Sequence, residues 1–215
     1  MNTIRIWFTK EGDASYISLL DLQRAMGRCL KRSGLPVWYT QGFNPHIYMT
    51  FTCPLSLGQE SLVESVDVKT EEESPDFEEW KNRLDPVMPG GIRVTKVAPV
   101  VHKGEEVAFA RYTIWTRQPG GEEAVRAYNQ AQQLLVEKKT KRAVKTIDLK
   151  EILPRVEAHL EGDKCIFEAV LPAGKDLNVN PTLLLESWQE AYGFPARNWN
   201  ILRTQLYTGD MEIFC

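Results

Sequence analysis

The stretch Trp38-Tyr39-Thr40-Gln41-Gly42-Phe43-Asn44-Pro45-His46-Ile47-Tyr48 crowds aromatic rings around a glycine, a proline and one of three histidines. Exposed rings beside cations are the ingredients of single-stranded nucleic-acid binding, in which bases stack on side chains and the backbone follows a basic groove. Packed inward, the same residues would make a bulged strand with a turn at Asn44-Pro45, and residue types alone leave both readings open. His46 and Tyr48 are the two side chains here that could move a proton. No partner stands at a catalytic spacing from them, and His102 and His159 lie far along the chain.

Cations recur close by. A capping signal, Ser18 to Asp21, opens a predicted helix that Gly34 and Pro36 close, with Leu22, Ala25, Met26, Cys29 and Leu30 as its core stripe. Arg24, Arg28, Lys31 and Arg32 occupy another face. In a nucleic-acid reading, Arg24, Arg28 and Arg32 contact phosphates, Phe43 and Tyr48 stack, and Asn44 and His46 stand beside them. Lys138, Lys139, Lys141, Arg142 and Lys145 would extend that track along a basic strand. The plain alternative is an exposed edge strand whose lysines discourage unwanted pairing. The acidic stretch Glu71-Glu72-Glu73, Asp76, Glu78 and Glu79 reads as a solvated loop and helix N-terminus, with no chemistry assigned.

Other chemistries find no local support. Cys29, Cys53, Cys165 and Cys215 form no zinc-ribbon or iron–sulfur spacing, so reduced thiols are expected, with no metal and no cofactor. The phosphate-cradling, dinucleotide and nucleophile-elbow motifs do not occur. A net charge of −3 argues against a nonspecific coat for nucleic acid. No apolar run reaches the roughly 20 residues of a membrane helix, and the first residues read as a strand, so a cytoplasmic protein without a membrane partner is expected.

The elements that must position these residues follow the order strand, helix, strand, strand, helix, strand, twice. The first pass has strands at the N-terminus, at 35–52, at 62–69 and at 92–101, with a second helix starting at Ser74-Pro75-Asp76 and ending at Pro89-Gly90-Gly91. The second pass has a strand at 108–116, a helix at 122–136 with Ala124, Tyr128, Ala131 and Leu135 inward, and a basic strand at 138–148. A turn of helix near 151–154, a strand at 155–171 that turns at Glu161-Gly162-Asp163, a helix from Asn180-Pro181 to Gly193 and a strand at 200–207 complete it. The expected fold is α+β, two ferredoxin-like halves in tandem, 1–103 and 104–215; one continuous sheet is compatible with the same order.

Phe8, Lys10, Gly12, Tyr16-Ile17-Ser18, Asp21-Leu22, Arg24, Leu35-Pro36, Tyr39, Gly42-Phe43-Asn44-Pro45-His46, Phe51, Pro54-Leu55, Gly58 and Glu64 resemble the radical-SAM-linked protein family, a bacterial domain family of unknown function. Lys145, Asp148, Asn180-Pro181, Arg203 and Leu206-Tyr207 resemble its later landmarks. The resemblance implies a radical SAM protein as partner, encoded beside or fused to such a domain. The family's usual Ser-His-Leu-Asp-Leu has Leu19 in place of the histidine, and Ile47-Tyr48 replace a Pro-Lys, which removes an acid–base group and a charge. Three roles are compatible with these observations. One is a non-catalytic accessory subunit that binds RNA or another anionic substrate. The second is a metal-independent RNA endonuclease of the CRISPR repeat-processing type, with His46 and Tyr48 moving protons. The third is a purely protein-docking partner; the sequence does not choose an oligomeric state.

Overall fold

Ile4, Ile6 and Phe8 point inward along β1 (Asn2–Lys10), as their alternation with polar residues dictates. The computed structural model describes residues 2–139 and 144–215. Within them the fold is α+β with mostly antiparallel sheets, and the chain divides into two units. The first is Met1–Val107 with Gln205–Cys215, the second Ala108–Thr204. The expected second half thus loses its C-terminal segment to the first unit.

In the first unit, α1 (Leu19–Ser33) starts where the Ser18 hydroxyl accepts from the Asp21 amide and stops at Gly34, whose φ of 66° suits a left-handed cap. It buries Leu22, Met26, Cys29 and Leu30 against Ile4, Ile6 and Phe8 of β1 and Val66 and Val68 of β3 (Glu60–Thr70). Then α2 (Phe77–Leu84), capped by the Asp76 carboxylate, adds Trp80 and Leu84 to the same core. The strands run β4-β1-β3, with β4 (Ile92–Pro99) outermost and β2 (Met49–Phe51) paired to β3.

The expected strand at 35–52 is mostly absent as such. Only β2 and the isolated bridges Val37 to Thr70 and Tyr39 to Ile47 pair there, because Pro36, Gly42 and Pro45 interrupt a ladder. On the sheet face away from α1, Arg5 is fully buried and clasps Asp67 through two bonds of 2.7 and 2.9 Å. It also donates to the His102 and Cys215 carbonyls and lies 4.5 Å from the Phe214 ring, so the returning C-terminal segment is fastened to β1.

Gly91 closes the turn before β4 with φ +80°, and a Cβ there would stand 2.4 Å from the Glu11 carbonyl and 2.9 Å from Ala14 Cβ. Gly91→Ala is therefore expected to destabilise the protein by more than about 2 kcal/mol in urea unfolding, a sum of left-handed strain and backbone collision. An unchanged midpoint would mean that the turn opens at no cost.

In the second unit the strand order is β10-β5-β9-β8, from β5 (Phe109–Thr116), β8 (Ala158–Glu161), β9 (Lys164–Pro172) and β10 (Asn200–Tyr207), which passes into the first unit at Gln205. The core of this unit is aromatic, with Trp188 against Tyr128, Phe167 and Trp199, and Phe167 also against Trp199. Tyr128 comes from α3 (Gly121–Gln130) and Trp188 from α5 (Pro181–Tyr192), which Asn180 caps.

The helix expected to reach residue 136 ends at Gln130. The Leu134 amide is instead taken by Asp148 Oδ1, Leu135 is exposed, and residues 135–139 form β6 (Leu135–Lys139). The expected single basic strand is likewise two: β6 pairs antiparallel with β7 (Val144–Asp148) as a separate ladder, followed by the short α4 (Leu149–Ile152). Alternation alone cannot distinguish one long strand from two shorter ones that pair with each other.

Candidate nucleic-acid interface

Between Asp21 and Glu60 the chain carries no Asp or Glu, although it holds 29 acidic residues in all. Four cations of α1 and the aromatic segment fall in this acid-free interval, so any compensating carboxylate comes from its borders or from elsewhere in the fold.

On α1, Arg24, Arg28, Lys31 and Arg32 are exposed, as their offset from the core stripe requires. The Arg24 guanidinium lies 3.3 Å from Asp21, a solvent-exposed pair of small energetic weight. A hydrogen bond from Ser18, then the charges of Arg24 and Arg28, hold the Asp21 carboxyl below its ordinary value. Arg28 makes no hydrogen bond or close ion pair among the described residues. Arg32 is committed elsewhere: it donates to the Val87 carbonyl at 3.2 Å. An edge of the same face meets the aromatic segment, because Gly27 leaves room for Met49 and the Lys31 ammonium sits 5.8 Å from the Tyr39 ring.

The segment from Val37 to Tyr48 folds back on itself. Tyr39 bridges Ile47, the Thr40 amide donates to the His46 carbonyl (2.8 Å), and the Tyr48 amide to the Trp38 carbonyl (3.2 Å). Trp38 in turn donates to the Lys69 carbonyl of β3 (2.9 Å). Alternation sends Val37, Tyr39 and Ile47 toward the core and α1, and Trp38, Thr40, His46 and Tyr48 to the opposite face. There the Lys69 ammonium lies 4.3 Å from the Tyr48 ring and 5.1 Å from that of Trp38, which meet edge to face. At the tip, Gly42 adopts φ 145° and the Phe43 ring is wholly exposed. His46 Nδ1 lies 3.1 Å from both Thr40 Oγ1 and the Asn44 carbonyl, while Nε2 has no partner among the described residues.

The arrangement thus joins Phe43, Asn44, His46 and Tyr48 in one hairpin and puts Arg24 and Arg28 on the helix-bearing side of it. The inward-packing alternative holds for Tyr39 and Ile47, not for Phe43 or Tyr48. Lys138, Lys139 and Lys145 belong to the second unit, and Lys141 and Arg142 lie outside the described residues. Lys138 faces Lys145 across the ladder and donates to the Asn178 carbonyl; burial, then Lys145, push its ammonium below the ordinary lysine value.

Two members of the site were not anticipated, Trp38 as the ring partner of Tyr48 and Lys69 as the cation on both. The alternation of Asp67 and Lys69 with buried Val66 and Val68 signals that Lys69 faces away from the core. Which rings it meets depends on pairing across the fold. Elsewhere in this unit a cleft of about 450 Å3 is lined by Pro75, Phe77, Pro99 and the single carboxylate of Glu73, without the cations of the hairpin. Among the described residues no cluster of three His, Cys, Asp or Glu could hold a metal ion, and no helix is long and apolar enough to cross a membrane.

Fold and surface together define an α+β protein of two antiparallel units, the first of which presents an aromatic hairpin flanked by cations. The chain belongs to a family described as an uncharacterized protein conserved in bacteria (DUF2344), whose model matches residues 3–181. No curated protein matches it. Among solved structures it is similar to a chain from a Cbf5-Nop10-Gar1 complex, at 11% identity and a TM-score of 0.49, over 94% of this chain and 48% of that one. The present chain therefore spans about half the length of that relative. It is also similar to an unknown protein from Galdieria sulphuraria at 12% identity and a TM-score of 0.29, over 93% of this chain and 95% of that one.

Proposed function

We propose that the protein is an accessory subunit that binds RNA through the hairpin and α1 of its first unit and presents it to a radical SAM enzyme, with no catalytic centre of its own. The observation that carries this reading is the wholly exposed Phe43 ring beside the Trp38, Tyr48 and Lys69 cluster, in an interval free of acidic residues. Rings for stacking and cations for phosphates are the two components of sequence-tolerant RNA binding. The partner rests on the resemblance to radical-SAM-linked proteins, and a cytoplasmic location goes with it.

The strand orders β4-β1-β3-β2 and β10-β5-β9-β8 support reading each unit as ferredoxin-like, with the β6–β7 ladder inserted between α3 and β8 in the second. Sheets of this type that bind RNA stack bases on aromatics of the face opposite the helices, the face that carries Trp38 and Tyr48 here. That parallel is one of fold analogy.

The test is fluorescence anisotropy with RNA and the variant Arg24→Glu/Arg28→Glu, whose exposed sites leave the core untouched. Affinity is expected to fall about tenfold or more, and the slope of log K against log salt to become shallower by about one to two. Unchanged affinity and slope would sink RNA binding by this surface. The same mixtures address the endonuclease reading, which draws on His46 and Tyr48 sharing one exposed face with Nε2 open to solvent. Intact RNA after incubation without metal sets it aside; cleavage that His46→Ala abolishes would put it in place of the accessory role.

A further inference from the structure

A narrower inference rests on the RNA-binding reading. We infer that the element recognised is an unpaired nucleotide in a looped or single-stranded RNA segment, with the Phe43 ring as the plate on which its base stacks. The strand then crosses the hairpin, so that phosphates reach Lys69 on one side and Arg28 and Lys31 on the other.

Phe43 sits at the hairpin tip with its ring entirely in solvent, so its faces are spent on no internal contact. In a double helix the faces of each base are already covered by neighbours, whereas a loop or bulge offers a free face. Trp38 and Tyr48 each already hold the Lys69 ammonium, 5.1 and 4.3 Å from their rings, and meet each other edge to face, so of the three rings Phe43 is the one wholly open to a base.

The tip is also held ready. The Thr40 amide bonds the His46 carbonyl, the His46 amide bonds Thr40 Oγ1 at 3.1 Å, and the His46 ring closes on Thr40 and Asn44. A ring on a braced turn loses little conformational freedom when a base lands on it. Gln41 and Asn44, both exposed at the tip, bring amide donors and acceptors to the edge of that base.

Charge placement points the same way. Lys31 lies against Tyr39 on the α1 side of the hairpin, and Lys69 against Tyr48 on the other. A backbone that neutralises both must bend over the tip, which a flexible single strand does and a stiff duplex does not.

The experiment compares three labelled RNAs of equal length by anisotropy: an unstructured strand, a stem-loop and a blunt duplex, with wild type, Phe43→Ala and Phe43→Trp. Wild type is expected to bind the first two at least about tenfold more tightly than the duplex. Phe43→Ala should lose about 5- to 100-fold on them, the range of one base–ring stack, and little on the duplex. Phe43→Trp should keep the affinity of wild type. Equal affinity for all three RNAs, or an unaffected Phe43→Ala, overturns this inference while leaving RNA binding in place. Failure of wild type to bind any of them removes the RNA reading together with it.

Discussion

Asp67→Ala is expected to destabilise the protein by about 3–5 kcal/mol, the cost of leaving a buried charge without its partner. The Arg5 side chain is entirely buried, and Asp67 takes two of its N–H bonds at 2.7 and 2.9 Å. Two more N–H groups donate to the His102 and Cys215 carbonyls, neither of which can neutralise a guanidinium. Rings compensate only in part: Phe214 and Trp7 lie 4.5 and 5.7 Å from it.

The double variant Arg5→Met/Asp67→Leu removes both charges at similar volume. It is expected to recover more than half of the loss, since what remains is chiefly two carbonyls without donors. Urea denaturation of the single and double variants measures this. A loss under about 1 kcal/mol for Asp67→Ala would mean that water reaches Arg5 once the carboxylate is gone.

Trp188→Ala should cost a similar amount, about 3–5 kcal/mol, by a different mechanism. Trp188 is fully buried on α5, its ring centroid 5.0 to 5.9 Å from those of Tyr128, Phe167 and Trp199. Truncation opens a hole that three rigid rings cannot close by rotating. The indole N–H, however, has no hydrogen-bond partner among the described residues. Trp188→Phe therefore removes an unsatisfied donor while keeping an aromatic plate, and its cost is expected to stay under about 2 kcal/mol. If Trp188→Phe proved as damaging as Trp188→Ala in thermal unfolding, the indole N–H would have a partner and the ring size would not be the source of stability.

Much of the backbone plan is legible from local chemistry. The limits of α1 follow from Ser18 and Gly34, those of α5 from Asn180-Pro181 and Gly193, and the β8–β9 turn from Gly162, because each signal acts on the residues beside it. Where local signals conflict, tertiary bonds decide. Residues 131–135 have helix-forming side chains, yet the Leu134 amide is bound by a carboxylate 14 positions away and the segment enters a ladder. Residues 35–52 have β-forming side chains, yet two prolines and a glycine leave only Met49–Phe51 as strand.

By itself, then, the sequence determined the α+β class, the main helices with their caps, the alternation that places Lys69 away from the core, and an acid-free basic and aromatic interval. Only the tertiary structure decided that Phe43 and Tyr48 face solvent while Tyr39 and Ile47 do not, that Arg32 is spent on Val87, and that Lys69 covers two rings. It also decided that Arg5, one more strand cation by its type, is a core residue. The reason is range: caps and alternation are set within a turn or a strand, whereas Arg5 meets Asp67 across 62 residues and the Cys215 carbonyl across 210, contacts that exist only once strand register and the returning C-terminal segment are in place.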